Sequence, residues 1–297
     1  MAEARASQVR TLGARGWIPA REGTPPLTSV ASALEAGDVL FFPNLSFAIE
    51  PSERLLLSPA TLAGKKNVSF DPWSGRLSGT RLEGPTAGRL RDLVSRFSRL
   101  AAGFASELLP AYQGRLELGR ASFRPVEIAG RPTSWRKDDT RLHIDSFAAT
   151  PVHGKRILRV FTNINPDGRP RTWRLGEDFD SVARRFAREL RMPWPGSAAV
   201  RRLFRITKST RSPYDALMLQ LHDRMKADSD YQANAPQTRV EFPPGSSWIA
   251  FTDQVSHAAM AGQFQLEQTL LLPVDAILDE QRSPLRVLER FLGRPLV

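Results

Sequence analysis

The stretch Arg141-Leu-His-Ile-Asp-Ser-Phe147 holds an imidazole and a carboxylate two positions apart. Read as an extended strand, it sends His143 and Asp145 to one face and Leu142 and Ile144 to the other, into apolar packing. A neutral imidazole beside an ionised carboxylate supplies two ligands of a two-histidine, one-carboxylate site. That donor set leaves coordination positions open on a non-haem Fe(II). The chain has four histidines: His143, His153, His222 and His257. The third ligand is expected from His257, in Phe251-Thr-Asp-Gln-Val-Ser-His-Ala-Ala-Met260. It follows the strand-like run Ser247-Trp-Ile-Ala-Phe251 far downstream, as a two-sheet β fold needs if early and late core strands are to meet. His153 lies in the Pro/Gly loop Thr150-Pro-Val-His-Gly-Lys155 and reads as a surface residue. His222, beside Asp223 and one helical turn from Lys226, reads as part of a solvated face.

An iron oxygenase of this kind needs room for a bidentate 2-oxo acid and O2. It also needs a cation for the far carboxylate of that acid, placed inside the fold, where an unpaired charge is costly. Arg159 stands in the apolar run Ile157-Leu-Arg-Val-Phe161 and is the candidate; a pairing with a structural Asp or Glu is the competing reading. Arg156 is the alternative, expected to be exposed at the strand's start. Asn163 lies on the face of Arg159 and is a second candidate contact. Arg136, Lys137 and Arg141 flank the approach to the His143 strand, where three cations suit an anionic substrate or a simple exposed turn.

The elements that must position these residues are legible in outline. The spacing of Leu90, Leu93, Val94, Phe97, Leu100, Ala101, Phe104 and Leu108 predicts a core-facing helix over 86–109. Further helices are expected at 29–36, 179–190, 213–227 and 284–292. Strands are expected at 38–42, 115–124, 157–164, 171–174, 239–245, 247–251 and 268–272. Residues 50–63 are ambiguous, 67–84 read as a turn-rich connection, 202–210 as a basic exposed stretch and 231–235 as a loop. No repeat or linker divides the chain. It reads as one domain: strands and helices of residues 1–110 pack on a β core at 111–280, with a helical insert near 178–230 and a C-terminal helix within 281–297.

The 297 residues are 41% hydrophobic, enough for a substantial core. There is no cysteine, which excludes disulfides, thiolate ligands and a cysteine nucleophile. The N-terminus shows no secretory signal and no run approaches a membrane span, so a cytoplasmic protein is expected. The net charge is +11, carried mostly by arginine, which suits planar recognition of carboxylate and phosphate. The arginines are scattered rather than gathered into one arm, which argues against nucleic acid as partner.

Four blocks resemble the Kdo hydroxylases: residues 134–145, 156–166, 217–226 and 251–260. These bacterial Fe(II)/2-oxoglutarate dioxygenases act on 3-deoxy-D-manno-oct-2-ulosonic acid (Kdo) in lipopolysaccharide. The resemblance spans about residues 30–295. It implies a mainly β fold with surrounding helices and a double-stranded β-helix, or jelly-roll, core. It implies Fe(II) held by His143, Asp145 and His257, with 2-oxoglutarate and O2 as co-substrates. It further implies hydroxylation at C3 of Kdo to give Ko, on Kdo-lipid A or a lipopolysaccharide precursor. Much of that superfamily carries its 2-oxoglutarate arginine about ten residues after the distal histidine. Here residues 258–273 hold no Lys or Arg, which strengthens Arg159. A basic protein with such a substrate could meet the anionic inner-membrane surface peripherally. The rival readings are a related hydroxylase acting on another small acid or a protein side chain, and a non-catalytic basic β protein that binds polyanions.

Overall fold

In the computed structural model, residues 8–19, 26–64, 66–194 and 210–297 are described. The expected basic stretch at 202–210 lies almost wholly outside them. The strands are β1 (Val9–Thr11), β2 (Ala14–Arg15), β3 (Ile18–Pro19), β4 (Val39–Phe42), β5 (Val68–Asp71), β6 (Arg76–Ser78), β7 (Glu117–Arg124), β8 (Arg156–Asn163), β9 (Arg171–Leu175), β10 (Thr238–Phe242), β11 (Ser247–Phe251), β12 (His257–Ala261) and β13 (Gln265–Leu272). Eight of them form one sheet in the order β1-β4-β11-β8-β13-β7-β5-β6. A smaller sheet has the order β10-β9-β12, and β2 and β3 form a short hairpin.

The period-two alternation of strand side chains gives the large sheet two unlike faces. Along β8, Leu158 and Val160 join one core cluster and Phe161 joins another. The first cluster lies under α2 (Gly84–Leu108), whose Leu90, Leu93, Val94, Phe97, Ala101 and Phe104 are wholly buried. These follow the stripe expected from the sequence. Leu100 alone is half-exposed, at 36%. The second cluster lies between the sheets, where Trp248 stacks on Phe242 at 4.1 Å and Phe161 meets Trp173 edge-on at 5.1 Å. Each such side chain contributes about 1.5–3 kcal/mol by leaving water. Two facing sheets with a helical layer behind the larger make a jelly roll.

The other helices are α1 (Leu27–Glu35), α3 (Phe179–Phe186), α4 (Pro213–Ala227), α5 (Ser229–Asn234) and α6 (Pro284–Leu292). Pro213 at the first turn and a capping box between Ser212 and Asp215 fix the start of α4. Helices α3, α4 and α6 share a third core cluster with Leu142 and Ile144.

Several elements differ from the sequence reading. Residues 231–235 are not a loop: α5 covers most of them, because the Asp228 carboxylate caps Tyr231 N at 2.9 Å and Tyr231 is buried. The stretch at 67–84 is more than a connection, since β5 and β6 extend the large sheet from β7. Residues 50–63 form two 3-10 turns, Pro51–Leu56 and Pro59–Thr61. The expected strand at 141–147 is extended but pairs at one point only, His143 with His257.

Gly176 follows β9 and ties that strand to the turn before β12. Its N–H donates to Ser256 O at 2.8 Å, and a Cβ there would stand 2.7 Å from Ser256 Oγ. Gly176→Ala is therefore expected to destabilise the protein by about 1–3 kcal/mol. Ser256→Gly, which removes the obstructing atoms, should restore part of that loss in the double variant. Urea unfolding of the four proteins measures it, and purely additive effects would contradict this contact.

Candidate metal centre

Two backbone hydrogen bonds create the site. His143 N donates to His257 O and His257 N to His143 O, each at 2.9 Å. Asp145 N then bonds Thr252 O at 2.7 Å, so the extended segment lies along the turn between β11 and β12. Leu142 and Ile144 point away, fully buried, and His143 and Asp145 point inward, as the alternation requires. The coordinating atoms of His143, Asp145 and His257 lie within 4.8 Å of one another.

The chemistry of these donors fits a divalent metal. His143 Nδ1 lies 2.7 Å from Arg141 O, and His257 Nδ1 lies 2.8 Å from Val255 O. Carbonyls accept only, so each Nδ1 carries the proton and each Nε2 presents its lone pair to the centre. Burial pushes the pKa of both imidazoles down, and for His143 the charge of Lys226 adds to it. Burial acts in the opposite direction on Asp145, but the Arg159 guanidinium outweighs it and holds the carboxyl below the usual carboxylate range. Asp145 Oδ2 is buried without a hydrogen-bond donor. The set is thus two neutral imidazoles and one ionised carboxylate, the donors that a non-haem Fe(II) takes.

A cavity of about 100 Å³ adjoins the triad, with Phe161 and Trp173 on its walls and Arg124, Arg159 and Arg171 around it. Strand alternation brings these arginines together. Arg159 shares the inner face of β8 with Phe161, and Arg171 shares that of β9 with Trp173. Arg159 Nη1 lies 3.3 Å from Asp145 Oδ2 and 3.7 Å from Glu267 Oε1. Arg124 grips Glu267 with two bonds of 2.8 and 3.0 Å. Arg171 has no carboxylate within 4.0 Å among the described residues. Its Nη1 bonds Gly262 O at 2.8 Å, while its Nε is buried without a partner. Burial and the neighbouring Arg124 push its pKa down to about 9. Among the described residues, Arg171 is therefore a buried cation of this cavity without a carboxylate partner.

The remaining sequence candidates divide. Asn163 is buried at the end of β8 with its amide spent on backbone groups: Arg169 O at 3.1 Å, Phe242 O at 3.0 Å and Asn165 N at 3.0 Å. It does not line the cavity. Arg156 is wholly buried rather than exposed, paired with Asp253 at 2.8 Å and laid over the Phe251 ring at 4.0 Å. Arg136 and Lys137 are exposed on the 3-10 turn Trp135–Lys137, with Arg136 Nε 3.2 Å from Asp223. Arg141 is half-buried and donates to Lys226 O at 2.7 Å. His153 stands at the start of α4, 3.9 Å from Asp215, outside the triad. His222 is not on a solvated face: its ring packs edge-on against His143 with centroids 5.4 Å apart. Sequence reasoning missed Arg171 and Arg124. The available signal for Arg171 was Arg171-Thr-Trp-Arg174, where alternation puts the arginine on the face of a large apolar ring.

The chain matches the 3-deoxy-D-manno-oct-2-ulosonic acid (Kdo) hydroxylase family over residues 21–295. It is 45% identical to the Kdo hydroxylase KdoO, a non-haem Fe(II) α-ketoglutarate-dependent dioxygenase solved with α-ketoglutarate and Fe(III). The TM-score is 0.92, and 97% of each chain is covered. The cobalt(II) complex of KdoO matches at 45% identity and a TM-score of 0.94 over 98% of each chain, and the apo form at 45% and 0.93 over 97% of each. No curated protein matches. Sequence, fold and donor set agree, and this chain belongs to the Kdo hydroxylase family of iron- and 2-oxoglutarate-dependent dioxygenases.

Proposed function

We propose that this protein hydroxylates C3 of Kdo in Kdo-lipid A, giving Ko, with His143, Asp145 and His257 as its iron ligands. The observation that carries the reading is a two-histidine, one-carboxylate cluster beside a cavity with an anion-seeking arginine. When bound, Fe(II) supplies the activation of O2 that replaces a C–H hydrogen by hydroxyl while 2-oxoglutarate becomes succinate and CO2. The chain's own residues bind and orient. Arg171 takes the distal carboxylate of 2-oxoglutarate, supported by Arg124 and Arg159, whose charges Glu267 and Asp145 hold in place. Trp173 stacks on His257 at 5.0 Å and keeps that ring in its plane. Arg159 has a double role, since it also neutralises the outer oxygen of Asp145. Arg136, Lys137 and Arg141 form a basic rim for the anionic groups of the substrate. The net charge of +11 supports peripheral contact with an anionic membrane surface, and no helix among the described residues is long and apolar enough to cross a membrane.

The function is tested by succinate formation with Fe(II) and 2-oxoglutarate, with and without Kdo-lipid A. The sugar lipid should stimulate it at least tenfold; no stimulation would refute the substrate. For the metal, His143→Ala, Asp145→Ala and His257→Ala should each abolish Co(II) binding, followed by visible absorbance, and leave the thermal transition intact. Zn(II) and Cu(II) should occupy the site and inhibit, since they rank above Fe(II) in affinity.

The arginines should separate by phenotype. Arg171→Met is expected to raise the Kd for 2-oxoglutarate about 10- to 100-fold, the loss of a charge-assisted bond of about 1.5–3 kcal/mol. Its Co(II) affinity should stay as in the wild type. Arg159→Met should weaken both, because Asp145 loses its neighbouring cation. Titration calorimetry with each ligand distinguishes them, and equal behaviour of the two variants would contradict the assignment.

A further inference from the structure

Among the described residues, three Lys or Arg side chains are buried to within a few per cent of complete: Arg156 at 0%, Lys226 at 2% and Arg171 at 3% exposure. Arg156 has the Asp253 carboxylate as its counter-ion. The other two have none within 4.0 Å among the described residues. A buried cation without an anion is strongly unfavourable, and a side chain of equal size without charge would pack in its place at less cost. The proposed reaction brings two anionic reactants into the site. Arg171 stands in the co-substrate cavity, which leaves Lys226 for the other.

The surroundings of Lys226 suit that role. It sits one turn after His222 on α4, and His222 packs directly on His143. The C-terminal end of α4 is sewn to the residues just before His143. Arg141 Nη1 donates to Lys226 O at 2.7 Å, Leu142 N to Gln232 Oε1 at 2.7 Å, and Gln232 Nε2 to Met225 O at 2.8 Å. An ammonium carries three donors, and among the described residues this one meets a single acceptor, Arg136 O at 3.2 Å. Two neighbouring cations already have carboxylate partners: Lys66 with Asp139 at 2.8 Å and Arg136 with Asp223 at 3.2 Å.

We propose that the Lys226 ammonium is the residue that receives the sugar-acid carboxylate of the substrate. This rests on the Kdo reading of the function. The carboxylate takes up the two idle donors and displaces the Arg136 carbonyl, so the Trp135–Lys137 turn shifts as the substrate seats. Lys226 thereby selects an acid over its uncharged derivatives and sets which part of the sugar faces the metal centre.

The test compares Kdo-lipid A with the same lipid methyl-esterified at its sugar carboxylates, using wild type, Lys226→Met and Lys226→Gln. Wild type should favour the acid over the ester by at least tenfold in kcat/KM. Both variants should raise the KM for the acid at least tenfold and lose the preference, with the Kd for 2-oxoglutarate measured without sugar within twofold of wild type. A merely structural lysine would lower activity on acid and ester alike and keep their ratio. Retention of the wild-type ratio in either folded variant overturns the proposal alone. Failure of the wild type to act on Kdo-lipid A overturns it together with the functional reading.

Discussion

The site depends on keeping charge buried between two sheets. Arg131, Asp139, Arg124, Glu267, Arg159 and Asp145 form a chain of alternating sign, with contacts of 3.0, 3.7, 2.8, 3.7 and 3.3 Å. Any one of these ions alone in the interior would cost several kcal/mol. Together they hold Asp145 ionised and fix Arg124 and Arg159 at the cavity wall. Cations exceed anions in this cluster once Arg171 is included, and that excess favours an anion in the cavity.

The β framework makes such an arrangement attainable. Arg124 and Gln265 are direct partners across β7 and β13, and Arg159 and Thr269 across β13 and β8. Alternation therefore puts Arg124, Glu267 and Arg159 on the inner face while Leu266, Leu270 and Val160 pack under α2. The same strands carry both the helix-facing core and the polar pocket, so stability and chemistry are separated by face rather than by region. The paired bonds of His143 and His257 then bring two remote segments into register, and the carbonyls of Arg141 and Val255 orient the rings.

What the sequence made legible follows from locality. The spacing of His143 and Asp145 acts within one extended segment, so their shared orientation could be read directly, and His257 was reachable as the histidine beside a late strand. The helix at 84–108 was legible because its stripe is long and periodic. Arg159 stood out as a charge inside an apolar run, but Arg124 and Arg171 did not, since they come from strands whose register is set by pairing and each resembles the many scattered surface arginines. Arg156 was misjudged for the same reason: its position at a strand end gave no sign of Asp253 awaiting it. The face of His222 and Lys226 looked solvated because helix polarity by itself cannot show that a second polar surface lies against it.

The central claim is that this pocket directs O2 chemistry onto the C3 methylene of Kdo. Isotopically labelled O2 tests it most directly: Kdo-lipid A is incubated with the Fe(II)-loaded protein and 2-oxoglutarate, and the sugar is analysed by fragmentation mass spectrometry. The account predicts one labelled oxygen at C3 for each succinate formed. A sugar without added oxygen, or an added oxygen drawn from water or placed at another carbon, would contradict it.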